Sequence, residues 1–250
     1  MAFPLATIKD RILPLQEESE RYNKTLESIR SVLSKMPGRR KGKSQAAVLI
    51  LLILREDDVY VLLTKRSQYV GLHKGETCLP GGFMEDSDHT IVDTALREAH
   101  EEIGLHPNEV TVIGEMLPII NMIHHFLVTP VVAILNSNSF KPSPNPDEVE
   151  DVFYLPLSRF LRKDGFILMH NINKDTGNKF HIHIFTDEVD ERYFITWGMT
   201  ARLLVKTAVA IYQKETDFKF QMKETLKPQD PQKWDKHYIR QVLKLFSPKL

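Results

Sequence analysis

The stretch "CLPGGFMEDSDHTIVDTALREAHEEIGL" (Cys78–Leu105) decides the reading of this chain. Gly81 and Gly82 let the backbone turn sharply after the apolar run that ends at Pro80, because glycine tolerates positive φ. A polar loop follows, with Ser87, Asp88 and Thr90 as candidate helix N-caps. From Ile91 the pattern is helical, and Gly104 ends it with a left-handed C-terminal residue. On a wheel of about 100° per residue, Ile91, Val92, Ala95, Leu96, Ala99 and Ile103 span roughly 140° and form the buried face. Glu98 and Glu102 are one turn apart, about 20° either side of Ile91, so they border the core. Glu101 lies farther round, where Arg97 reaches it as an i, i+4 pair.

So many carboxylates near a helix C-terminus oppose the helix dipole. A solvated face with salt bridges explains Arg97 and Glu101. It explains Glu98 and Glu102 poorly, because like charges one turn apart repel and partial desolvation sharpens the repulsion. A divalent cation removes the conflict. Carboxylate oxygens suit magnesium or manganese, which keep waters and recruit phosphate oxygens to complete their shell.

The remainder of the chain is consistent with one globular unit and terminal additions. Its 250 residues suffice for a sizeable core, and 42% hydrophobic with 26% charged residues is ordinary for a soluble protein. Lys+Arg and Asp+Glu both total 33, which gives no global basic charge for nucleic acid. No apolar run approaches the roughly 18 residues of a membrane span. The N-terminal twenty residues read as neither a secretory signal nor a mitochondrial presequence. A lone cysteine, Cys78, excludes an intramolecular disulfide; it reads as a small apolar residue rather than a nucleophile.

Along the chain, residues 1–36 read as one or two helices broken at Pro14, and "PGRRKGKS" (37–44) as a basic linker. "AAVLILLIL" and "VYVLLTKRS" read as strands around a "REDD" turn. "EVTVIGEMLPII", "HFLVTPVVAIL" and "VEDVFYLPL" add strands, and a short helix follows at residues 158–161. "KFHIHIFTDEVDERYFITW" reads as a hairpin and "TARLLVKTAVAIYQK" as a helix, while the tail beyond Phe218 shows no clear period. Helices flanking a mixed, mostly antiparallel sheet mean α+β or a three-layer α/β/α sandwich. The expected division is a helical extension and linker (1–44), a central domain (45–215) and a C-terminal extension (216–250).

Gly82, "REAHEE" (97–102) and Gly104-Leu105 resemble the Nudix box, the signature of the Nudix hydrolases. The C-terminal half of the pattern matches fully. In the N-terminal half Asp88 stands where the pattern has Glu, with eight residues before Arg97 instead of seven. "LLTKRSQYVGLHKGETCLPGG" (62–82) resembles the further signature of the subgroup acting on coenzyme A and its thioesters. The resemblance covers about residues 45–210 and implies an α/β/α fold with a mixed sheet.

It also implies magnesium- or manganese-dependent hydrolysis of coenzyme A or acyl-CoA to adenosine 3′,5′-bisphosphate and (acyl-)phosphopantetheine. Glu98, Glu101 and Glu102 are then the metal ligands, Glu98 and Glu101 also act in catalysis, and Arg97 orients a carboxylate. The general base is a box glutamate or a carboxylate of "NPDEVED" (145–151), where Asp147, Glu148 and Glu150 are candidates and Glu148 is preferred. Lys65, Arg66, His73, Glu76, Gly81 and Gly82 are the expected substrate contacts. Trp197 is either a base-stacking or a core residue; "NMIHHF" and "HIHIF" read as surface strands. Two other readings keep the fold: hydrolysis of a dinucleotide, ADP-ribose or an oxidised nucleotide, and a non-catalytic coenzyme A binding module. The ending "SPKL" resembles the Ser-Lys-Leu peroxisomal import tripeptide, with Pro248 for the serine, or is a basic tail. The expected partners are the small-molecule substrate, a peroxisomal import receptor and a second copy in a homodimer; the expected location is the peroxisome, otherwise the cytoplasm.

Overall fold

A computed structural model describes residues 4–33, 45–56, 58–71, 74–121, 126–137, 139–172 and 179–220 of the chain. The two apolar runs are β1 (Gln45–Leu54) and β2 (Val59–Arg66), an antiparallel hairpin in which the Arg55 N–H donates to the Asp58 carbonyl. The hairpin pairs only over residues 52–54 and 59–61. Beyond that the strands part. The N-terminal half of β1 pairs with β4 (Gly81–Phe83), and the C-terminal half of β2 pairs with β3 (Thr77–Cys78). The β3–β4 connection thus wedges between the splayed strands and delivers Gly81-Gly82 to the middle of the sheet.

The other strands are β5 (Val110–Glu115), β6 (Ile119–Asn121), β7 (Phe126–Leu135) and β8 (Val149–Pro156). β1 and β7 run parallel, and the other described pairings are antiparallel. Side chains alternate across β1, as the period of a strand requires. Leu49, Leu51 and Ile53 pack under α3 (Ile91–Ile103); Ile50 and Leu52 face α1 (Leu5–Arg21) and α4 (Gly198–Tyr212). With helices on both faces of a mixed sheet, the architecture is the expected α/β/α sandwich. A second antiparallel sheet of β9 (Phe166–Ile172), β10 (Lys179–Val189) and β11 (Arg192–Trp197) extends the α1/α4 side through Phe185 and Phe194.

Three details differ from the sequence reading. The first helix runs unbroken through Pro14, and the break falls after Arg21, before α2 (Asn23–Leu33). Pro14 is solvent-exposed, whereas Ile8, Ile12 and Leu15 are buried in the main core, so packing holds a helix that has lost one hydrogen bond. β9 is an additional strand. His183 is buried rather than on the surface, with Nε2 at 2.9 Å from the Phe220 carbonyl, and desolvation lowers its pKa to about 4. The linker at 37–44, His124 and His125, and residues 221–250 with their import-like ending lie outside the described residues.

Candidate functional site

The helix stop read from the sequence holds, and of the three candidate N-caps the structure uses Thr90: α3 starts after Thr90 and stops at Gly104, which is left-handed at φ 72°. Thr90 is the N-cap. Its hydroxyl accepts from the Asp93 N–H at 3.1 Å and the Asp93 carboxylate accepts from the Thr90 N–H at 2.8 Å, a reciprocal capping box. The other end is held by the 143–148 loop. Ser143 and Asn145 donate their N–H groups to the last carbonyls of the helix, at Ile103 and Glu102. The same loop therefore comes back to the carboxylates and carries Glu148 with it.

Arg97 organises these carboxylates. Its Nε and Nη2 donate to Asp88 Oδ1 and Oδ2 at 2.9 and 3.0 Å, and Nη2 donates also to the Phe83 carbonyl at 2.9 Å. Its Nη1 donates to Glu98 at 3.1 Å and Glu101 at 3.0 Å. A guanidinium has five N–H donors, and all five are engaged. Asp88 in turn accepts from the buried Thr94 hydroxyl at 3.0 Å and the Glu85 N–H at 2.9 Å. The Arg97 hydrogen bonds hold the Asp88 carboxyl down at about 2, so it stays ionised. Asp88 is the anchor that the one-residue departure in spacing concealed.

Glu102 is buried, with only 3% of its surface exposed. Its Oε2 accepts from the Gly81 N–H at 3.3 Å, and Arg66 Nη1 lies 3.7 Å from Oε1. Burial pushes this carboxyl up to about 8 in spite of Arg66; Glu98 and Glu148 push in the same direction. Burial also raises Glu98, against the pull of Arg97 and with Glu101 and Glu148 adding to the rise. Negative charge here exceeds its compensation.

Both glycines lie at close approaches, Gly81 against backbone and Gly82 against the end of a side chain. A Cβ on Gly81 would lie 2.2 Å from the Ala47 carbonyl oxygen, and one on Gly82 within 2.4–2.5 Å of the Glu98 carboxylate. A bulge between Lys65 and Arg66 in the β2–β8 pairing marks the place where Arg66 meets Glu102. Lys65 pairs instead with Glu150 at 2.5 Å. The Glu76 carbonyl accepts from the Arg66 N–H at 3.0 Å, which fixes the turn beside the site. Of the three loop carboxylates, Glu148 is the one whose charge acts on Glu98 and Glu102; Glu150 is taken by Lys65. His73 lies outside the described residues. Trp197 precedes α4 on the second sheet, 38% exposed.

Burial pushes the Cys78 thiol up to about 12, the reverse of an activated nucleophile. Alkylation of the native protein by iodoacetamide at pH 8 is therefore expected to be slower than that of free cysteine by at least about a hundredfold. A rate equal to that of free cysteine would contradict this burial.

Hard carboxylate oxygens in excess of nearby positive charge fit magnesium or manganese in kind. Among the described residues no three His, Cys, Asp or Glu side chains are grouped as a ready metal site, and Glu98 and Glu101 are turned to Arg97.

Residues 43–192 match the sequence model of the NUDIX domain. Nudix hydrolase 15, mitochondrial, of Arabidopsis thaliana is 42% identical over 188 residues, 74% of this chain and 65% of that protein. The match thus spans a little under two thirds of that relative's length. Nudix hydrolase 22, chloroplastic, of the same plant is 37% identical over 222 residues, 86% of this chain and 70% of that protein. The peroxisomal coenzyme A diphosphatase NUDT7 of Mus musculus is 38% identical over 181 residues, 71% of this chain and 75% of that protein.

Proposed function

The chain belongs to the NUDIX family of hydrolases, and from that premise we propose that it hydrolyses the diphosphate bond of coenzyme A or its acyl thioesters. The observation that carries the substrate is the 38% identity to a coenzyme A diphosphatase. The coenzyme A-type segment at residues 62–82 supports the same reading, because it supplies Arg66 and both site glycines.

Water attacks one phosphorus of the P–O–P bridge, a P–O bond forms, and the bridging oxygen leaves with the second phosphate. Glu148, the loop carboxylate coupled to Glu98 and Glu102, takes the proton of the attacking water. Glu98, Glu101 and Glu102 would hold magnesium or manganese, which would supply charge neutralisation and Lewis-acid polarisation. Arg97 fixes the directions of Glu98 and Glu101. Arg66 balances Glu102 and lends positive charge to the phosphate side, and Lys65, paired with Glu150, is a further proposed substrate contact. His73, Glu76, Gly81 and Gly82 complete the proposed substrate contacts. Peroxisomal residence belongs to the same proposal and is supported by the name of the mouse relative; the two plant relatives carry mitochondrial and chloroplastic names.

The test is a product assay with coenzyme A, acyl-CoA, ADP-ribose and a dinucleoside polyphosphate, with and without magnesium. Metal-dependent release of adenosine 3′,5′-bisphosphate from coenzyme A is the expected result. Cleavage of another diphosphate alone would retain the site and refute the substrate, and no cleavage at all would leave a binding module. Gly82→Ala is expected to lower turnover about a hundredfold, because its methyl group must displace the Glu98 carboxylate. Turnover within about threefold of wild type would show that Glu98 needs no such approach.

A further inference from the structure

The outer face of the β9–β10–β11 sheet is apolar, and no described element packs on it. Ile167 is 54% exposed, Ile195 53% and Tyr193 77%, with Met169 and Trp197 beside them. The register aligns them. Ile184 pairs with Ile167 on one side and Trp197 on the other, so one row crosses all three strands. Ile182 pairs with Met169 in the next row. Thr186 faces Ile195, and Glu188 faces Tyr193 at the far end. The opposite face of this sheet carries Phe185 and Phe194 into the core, and the exposed rows stand outside that core.

We propose that this face is the interface of a homodimer in which two copies stack their β9–β10–β11 sheets about a two-fold axis. The area is appropriate. The five exposed large side chains present on the order of 500 Å², before Ile182 and Ile184 are added, against roughly 800 Å² per partner in a standard interface. The composition is appropriate too, because aromatic side chains and methionine are enriched and charge is depleted at interface centres. Glu188 is the one charged group among the described side chains of the face, and it lies at the end of the sheet. Two identical faces with no charge at their centre meet without burying an unpaired ion. An anionic membrane would call for Lys or Arg on this face, and the described residues supply none. Sheets with such faces stack about 10 Å apart with interdigitating side chains. The inference is independent of the substrate proposed above.

Sedimentation velocity of the full chain over roughly 1–100 µM tests it. The expected result is a dimer that Ile167→Asp and Ile195→Asp each weaken at least about tenfold, because each would bury an unpaired carboxylate. Ile195→Thr is expected to weaken it less. Both positions are exposed, so circular dichroism and turnover per chain are expected to stay unchanged, which separates dissociation from unfolding. A monomer throughout the range overturns the proposal, and so does a dimer that neither Asp variant weakens. Binding of the monomeric chain to phosphatidylserine vesicles, lost in the Asp variants, would also overturn it and give the face to a membrane.

Discussion

Glu98→Gln is expected to lower metal-dependent diphosphate hydrolysis about a thousandfold, or ~4 kcal/mol of transition-state stabilisation. The fold is expected to persist. An amide oxygen still accepts from Arg97 Nη1, the side chain keeps its volume beside Gly82, and one of several crowded negative charges is removed. The melting temperature should therefore move by no more than about 2 °C in either direction. What the amide lacks is the charge that binds a hard cation. The check pairs two measurements on one preparation: initial rates across a magnesium titration, and thermal unfolding. Loss of rate with retained stability places Glu98 in the chemistry. A variant that turns over within about threefold of wild type would remove Glu98 from the metal site. A variant that is inactive because it is unfolded would give Glu98 a structural role instead.

Legibility in the sequence followed the range of the interactions. The C-terminal end of α3 was readable because its stop is local, the left-handed Gly104, whereas the start stayed open among Ser87, Asp88 and Thr90 until the Thr90–Asp93 capping box chose between them. The border position of Glu98 and Glu102 was readable because helical period alone sets it. The full burial of Glu102 was not, since it depends on Gly81 arriving on the β3–β4 wedge and Arg66 arriving from a β2 bulge. Asp88 was obscured by spacing. A pattern counts residues, whereas the loop from Phe83 absorbs one extra residue and still presents a carboxylate to Arg97. Pro14 misled because propensity is local and the core that holds α1 is not. β9 was missed because its partner β10 supplies the register that makes it a strand.

Asp88 carries the other large expectation. Replacing it by Ala is expected to cost about 3 kcal/mol of stability at pH 7, because the Arg97 guanidinium, only 20% exposed, would be left short of two acceptors. The Thr94 hydroxyl and the Glu85 N–H lose their shared acceptor as well. The charge also sets an acid dependence. The Asp88 carboxyl lies at about 2 in the folded protein against 3.8 for an unperturbed group. A depressed folded value stabilises fully above the unfolded one and is lost as pH falls through the folded one. Wild type is therefore expected to lose about 2 kcal/mol from this group between roughly pH 4 and pH 2, and Asp88→Asn to lack that component. Urea unfolding at pH 7, 4 and 2 measures both. Turnover is expected to fall about 10- to 100-fold in Asp88→Asn, since Arg97 without its anchor no longer fixes Glu98 and Glu101. The decisive comparison is with Arg97→Ala. If Asp88 acts through Arg97, adding Asp88→Asn to Arg97→Ala lowers turnover little further, because both changes break one chain of contacts. Two full effects that simply add would show that Asp88 reaches the chemistry by a route other than Arg97.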